Sequence, residues 1–150
     1  SLGAGFPIGA CVARPPYSDV LVPGDHASTF GGNHLACAAA TAFLRVMKEE
    51  ALVDHAARMG EYAQARLRGL AAASSLVSEV RGRGLMIALE LVGVSARDVL
   101  AGLHKRRVLA NAIGDSVLRI LPPLVISEVE IDRFVEALAS ALEEAPSSNR

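Results

Sequence analysis

The sequence predicts an α/β chain that ends in a small α+β domain. Three observations carry this. Apolar residues recur at spacings of three and four through residues 35–70, the period of helices that bury one face. A run of small residues, Ala71 to Ser75, then marks a change of composition, after which short aliphatic runs alternate with helical stretches. A Ser-x-x-Glu capping box, Ser127 with Glu130, opens the last helix. The compositional change divides the chain into residues 1–71 and 72–150.

In chain order, residues 1–9 form a loop punctuated by Gly3, Gly5, Pro7 and Gly9. A loop of this kind normally follows another element, and the first residue is not methionine, so the N-terminus reads as a cut. The apolar run Ala10 to Ala13 is a candidate strand, ended by Pro15-Pro16. A second loop from Pro23 to Asn33 holds Gly24, Gly31 and Gly32, and Asn33 is placed to cap a helix through Leu35, Ala39, Phe43 and Met47. A further helix runs through Leu52, Ala56, Met59, Ala63, Leu67 and Leu70. Gly60 inside it costs about 1 kcal/mol in helix propensity, which close packing against a neighbouring helix would offset.

Beyond residue 75, Val77–Val80 and Leu85–Val92 read as strands around Gly82 and Gly84. Ser95 and Asp98 start a helix through Val99, Leu100 and Leu103. Val108–Asn111 and Val117–Leu121 read as strands joined through Gly114-Asp115. In the last helix, Ile126 and Ile131 flank the capping box as a hydrophobic staple, and Ile131, Phe134, Val135, Leu138 and Leu142 form one stripe. Two helices are therefore expected to cover the strands, with residues 145–150 as a polar, frayed tail.

Half of the chain is apolar and Trp is absent, so aliphatic side chains and alanine must fill the core. Basic and acidic residues nearly balance, for a formal net charge of -1, which argues against nucleic acid or an anionic membrane as the main partner. The cluster Lys105-Arg106-Arg107 reads as a solvated helix end. Cys11 and Cys37 sit in apolar surroundings and are expected to be small buried hydrophobes of a reduced, cytoplasmic protein. The four histidines lack metal-ligand spacing, so no metal is expected.

Three features stand out as sites for chemistry. The glycines at 3, 5 and 9 permit close approach of a ligand or simply make a tight loop. Ser28 and Thr29, with Gly31, Gly32 and a helix N-terminus beyond Asn33, offer neutral donors and a positive dipole to a phosphate; the alternative is a turn that only caps the helix. Arg119 lies in the aliphatic run Val117 to Leu121, where a buried guanidinium needs a partner. That partner is Glu90, or a substrate carboxylate held in a bidentate fork, unless the strand leaves Arg119 exposed at an edge.

Taken together and in order, these segments resemble the class III pyridoxal-phosphate aminotransferases, and among them the acetylornithine aminotransferases. The resemblance is carried by Leu2 to Ala10 (LGAGFPIGA), Pro23-Gly24, Ser28 to Asn33 (STFGGN), Val80 to Leu85 (VRGRGL), and Arg119 before Pro122-Pro123-Leu124, and it covers the chain to about Leu142. It implies a fragment of the type I aminotransferase fold: residues 1–71 would finish the large cofactor domain and supply interdomain helices, and residues 72–150 would form the small C-terminal domain. In the family the Schiff-base lysine stands immediately before the glycine loop, one residue before Ser1, so no catalytic residue is assigned here and the chain alone is expected to be inactive.

The resemblance further implies that Thr29 binds the phosphate of pyridoxal 5'-phosphate across a homodimer interface, with Ser28 touching substrate or cofactor. The loop containing Gly5 would shape the cofactor pocket, and Arg119 would bind the α-carboxylate of an amino acid or of 2-oxoglutarate. His34 departs from the proline common at its position, with little consequence expected just inside the helix. The implied activity is amino-group transfer between N-acetylornithine and 2-oxoglutarate in arginine biosynthesis. Ornithine, 4-aminobutyrate or aminoadipate enzymes share the motifs, and a non-catalytic α/β remnant is the other alternative.

Overall fold

A computed structural model describes residues 2–147. The chain divides into two compact units, Ser1–Ala51 and Leu52–Arg150. The division falls before the compositional change near residue 71, because the long second helix belongs to the second unit.

In the first unit, residues 2–33 are turns and extended segments with one short 3-10 helix, Tyr17–Asp19. The Phe6 amide donates to the Gly3 carbonyl at 2.9 Å, closing the glycine loop. The candidate strand at Ala10–Ala13 is not a strand: all four residues are exposed, and no neighbouring strand supplies a ladder for their backbone groups. Helix α1 (His34–Glu49) starts where expected, with the Asn33 side-chain oxygen accepting from the Ala36 amide at 2.9 Å. Cys11 and Cys37 are free thiols but exposed, not buried, because few residues of this unit have neighbours dense enough to enclose them. Among the described residues, no helix is long and apolar enough to cross a membrane.

The second unit contains α2 (Leu52–Ala73), β1 (Val77–Arg83), β2 (Met86–Leu91), α3 (Ala96–Lys105), β3 (Asn111–Ile113), β4 (Val117–Ile120) and α4 (Glu128–Glu144). The strands form one antiparallel sheet in the order β1-β2-β4-β3. Period-two alternation sorts its residues: Ile87, Leu89, Leu91, Leu118 and Ile120 are buried, while Ala88, Glu90, Val117 and Arg119 point the other way and are half-buried.

Three helices, not two, build the core against the sheet. Met59, Ala63 and Leu67 of α2 join Val99 and Leu103 of α3 and Ile131, Val135, Leu138 and Leu142 of α4 in one cluster. Burying each such aliphatic side chain stabilises the unit by about 1.5–3 kcal/mol relative to exposure.

Local signals place these helices. Ser95 caps α3 by accepting from the Arg97 amide. Ser127 and Glu130 form the complete capping box of α4, with the Ser127 amide donating to the Glu130 carboxylate at 2.8 Å. Gly60 does not pack on a helix as expected; a Cβ there would meet the backbone of Gly84 in the β1–β2 turn. The basic cluster is only partly solvated. Arg106 donates to the Gly102 carbonyl at 3.0 Å and pairs with Glu144, tying the ends of α3 and α4. The tail is held at Ser147 by an isolated antiparallel bridge to Val94, and residues 148–150 lie outside the described residues.

Candidate functional site

The predicted site residues fall in both units: Gly5, Ser28 and Thr29 in the first, Arg119 in the second. In the first unit, Ser28 and Thr29 lie in the turn before α1, where the Gly31 amide donates to the Ser28 carbonyl at 3.3 Å. Both residues are exposed, and neither hydroxyl meets a hydrogen-bond partner among the described residues. The turn needs its glycines: a Cβ on Gly31 would sit 2.9 Å from the Ser28 Cβ, and Gly32 has φ +67°. Two hydroxyls without partners ahead of a helix N-terminus have the donor chemistry that a phosphate needs. Gly5, with φ +106°, is exposed, and a Cβ there would meet nothing within 4 Å among the described residues.

The second unit bears on two of the alternatives left open for Arg119, the edge position and the pair with Glu90. β4 lies between β2 and β3, so Arg119 is not on an edge strand. It faces Ala88 across β2 and Asn111 across β3, on the side of the sheet away from the core. Its Nη2 donates to the Asn111 side-chain oxygen at 3.0 Å, while Nε is buried without a partner. An unsatisfied buried donor costs about 1–3 kcal/mol, and more when charged.

Glu90 is not its acceptor. Its Oε1 accepts from the Ser116 hydroxyl at 2.6 Å and its Oε2 from Arg81 at 3.1 Å. Arg81 also bonds Glu79. The Ser116 hydrogen bond, and then that from Arg81, holds the Glu90 carboxyl below the usual glutamate range. Sequence reasoning missed Asn111, Ser116 and Arg81 as neighbours of this site. A signal for Asn111 was present: a hairpin centred on Asp115 sets Asn111 opposite Arg119.

The family model for class-III aminotransferases matches residues 1–142. The chain belongs to the class-III aminotransferases. It is 42% identical over 144 residues to the acetylornithine aminotransferase of Mycobacterium tuberculosis, an alignment covering 96% of this chain and 36% of that protein. It is 43% identical over 144 residues to ornithine aminotransferase 1 of Staphylococcus saprophyticus, covering 95% and 36%. The crystal structure of acetylornithine aminotransferase from Elizabethkingia anophelis superposes with a TM-score of 0.78 at 34% identity, over 85% of this chain and 33% of that one.

The aminotransferase chain thus spans about a third of the length of the curated relatives it matches. Its fold is an α/β fragment of the pyridoxal-phosphate aminotransferase architecture, and the family implies that cofactor.

Proposed function

We propose that this chain is the C-terminal portion of an acetylornithine-type transaminase. The full protein would transfer an amino group between N-acetylornithine and 2-oxoglutarate, in arginine biosynthesis in the cytoplasm. The observation that carries the reading is Arg119, a half-buried guanidinium in an aliphatic strand whose candidate carboxylate partner is engaged elsewhere. A guanidinium in that state suits the carboxylate of a substrate, held through charge-assisted hydrogen bonds.

Each residue then has a task. Arg119 binds and orients the carboxylate common to amino donor and oxo-acid acceptor. Thr29 donates its hydroxyl to the cofactor phosphate in the site of a second copy of the full-length chain, and Ser28 contacts substrate or cofactor beside it. The loop containing Gly5 leaves room for the cofactor next to the lysine that precedes it in the family. When bound, pyridoxal 5'-phosphate supplies the electron sink that amino-group transfer requires.

The acetylornithine aminotransferases of Mycobacterium tuberculosis and Elizabethkingia anophelis support this donor. An ornithine-type enzyme is the second reading, favoured by the 43% identical ornithine aminotransferase 1. Assaying the full-length protein with 2-oxoglutarate and a panel of N-acetylornithine, ornithine and 4-aminobutyrate separates them. Highest kcat/KM for N-acetylornithine supports the first reading, and highest kcat/KM for ornithine supports the second. Absence of transfer from every donor would favour a non-catalytic remnant.

A further inference from the structure

Arg119 sits in a row of four residues on the open face of the sheet. Arg81 on β1, Ala88 on β2, Arg119 on β4 and Asn111 on β3 face one another in register. Two cations therefore share this row, and their environments differ. Arg81 is bound by two carboxylates, Glu79 and Glu90, each at 3.1 Å. Arg119 forms no ion pair among the described residues and meets the neutral amide oxygen of Asn111. The small Ala88 between them brings no polar group of its own to compete.

We propose that Asn111 is a positioning residue, holding the Arg119 guanidinium in place for a ligand carboxylate without neutralising its charge. The proposal rests on the reading of Arg119 as the carboxylate ligand. A guanidinium on a flexible stem must lose rotamer freedom to present a planar fork, and an acceptor that fixes one N–H in advance reduces that loss at binding. A carboxylate at position 111 would fix the same N–H but would form an ion pair with Arg119, which an incoming carboxylate would have to displace. An amide oxygen fixes the group and leaves the positive charge for the ligand. Ser116 and Arg81 complete the arrangement, because they engage both oxygens of Glu90, the carboxylate two residues from Ala88 on the same face.

The test uses the full-length enzyme with 2-oxoglutarate as probe and compares Asn111→Ala, Asn111→Asp and Arg119→Lys. Affinity is measured by calorimetry, KM and kcat by steady-state assay, and folding by thermal melting. Asn111→Ala is expected to weaken 2-oxoglutarate binding about ten-fold, seen in KM with kcat little changed. Asn111→Asp is expected to weaken it further, with an unchanged melting temperature, since β3 is an edge strand and Asn111 is exposed. Wild-type affinity in Asn111→Asp, or an Asp variant that binds better than the Ala variant, overturns the proposal. If Arg119→Lys alone loses affinity, the positioning role fails while the carboxylate reading stands. If all three variants bind as wild type, the carboxylate reading itself fails and the proposal falls with it.

Discussion

Helix α2 crosses the β1–β2 turn so closely that a Cβ on Gly60 would sit 2.3 Å from the Gly84 carbonyl oxygen. The obstacle is main chain on both sides, so no side-chain rotamer can relieve it. Gly60→Ala should gain about 1 kcal/mol of helix propensity. It should lose more, because α2 must lift from the sheet and overpacking of this kind costs about 1–3 kcal/mol or above. A net loss of roughly 1–2 kcal/mol in urea unfolding is expected. An alanine variant at least as stable as the parent would contradict the contact.

Arg119→Lys keeps the charge and removes the planar fork. In the full-length enzyme it should reduce kcat/KM for amino acid and 2-oxoglutarate by thirty-fold or more, roughly the 2–5 kcal/mol of a desolvated charge pair. The melting temperature should hold, because Arg119 shares no ion pair with Glu90. A large loss of thermal stability with substrate affinity intact would return Arg119 to a structural role.

Thr29→Ala should act on the cofactor first. One phosphate hydrogen bond is worth about 1–2 kcal/mol, so pyridoxal-phosphate affinity should fall about five- to thirty-fold with substrate affinity little altered. Equilibrium dialysis of the full-length protein against the cofactor measures this directly, and equal affinity in variant and parent would remove Thr29 from the phosphate site.

The Glu90 carboxylate has a pH signature. Its folded value is depressed, so its contribution to stability is present above the ordinary glutamate value and is lost as pH falls through the lower folded one. Ser116→Ala removes the hydrogen bond that lowers the Glu90 carboxyl most and should move its titration upward. Carbon-13 NMR of the side-chain carboxyl reads it. No movement would mean that Arg81 alone sets the value.

Residues 1–150 expressed by themselves should show no transaminase activity. The two lysines of this sequence, Lys48 and Lys105, lie near the C-terminal ends of α1 and α3, away in sequence from the glycine loop where the family places its lysine. The first unit also exposes Val12, Tyr17, Phe30, Leu35 and Leu44, so concentration-dependent association is expected in sedimentation. Turnover of N-acetylornithine by the purified 150-residue chain would defeat this expectation.

The sequence by itself determined the elements whose signals are local. Asn33, Ser95 and Ser127 start helices because a side-chain oxygen within three residues satisfies an amide that the helix leaves free. Aliphatic runs within 77–92 and 117–121 located the strands, and the ordered glycine, hydroxyl and arginine motifs pointed to the aminotransferase family that the comparisons bear out. Tertiary structure alone decided the rest. Ala10–Ala13 is extended coil, since a strand exists only with a partner, and Gly60 meets a turn distant in sequence. Arg119 had three possible environments in the sequence. Two of them, the edge position and the pair with Glu90, were excluded only by the strand order and by Ser116 and Arg81 engaging Glu90.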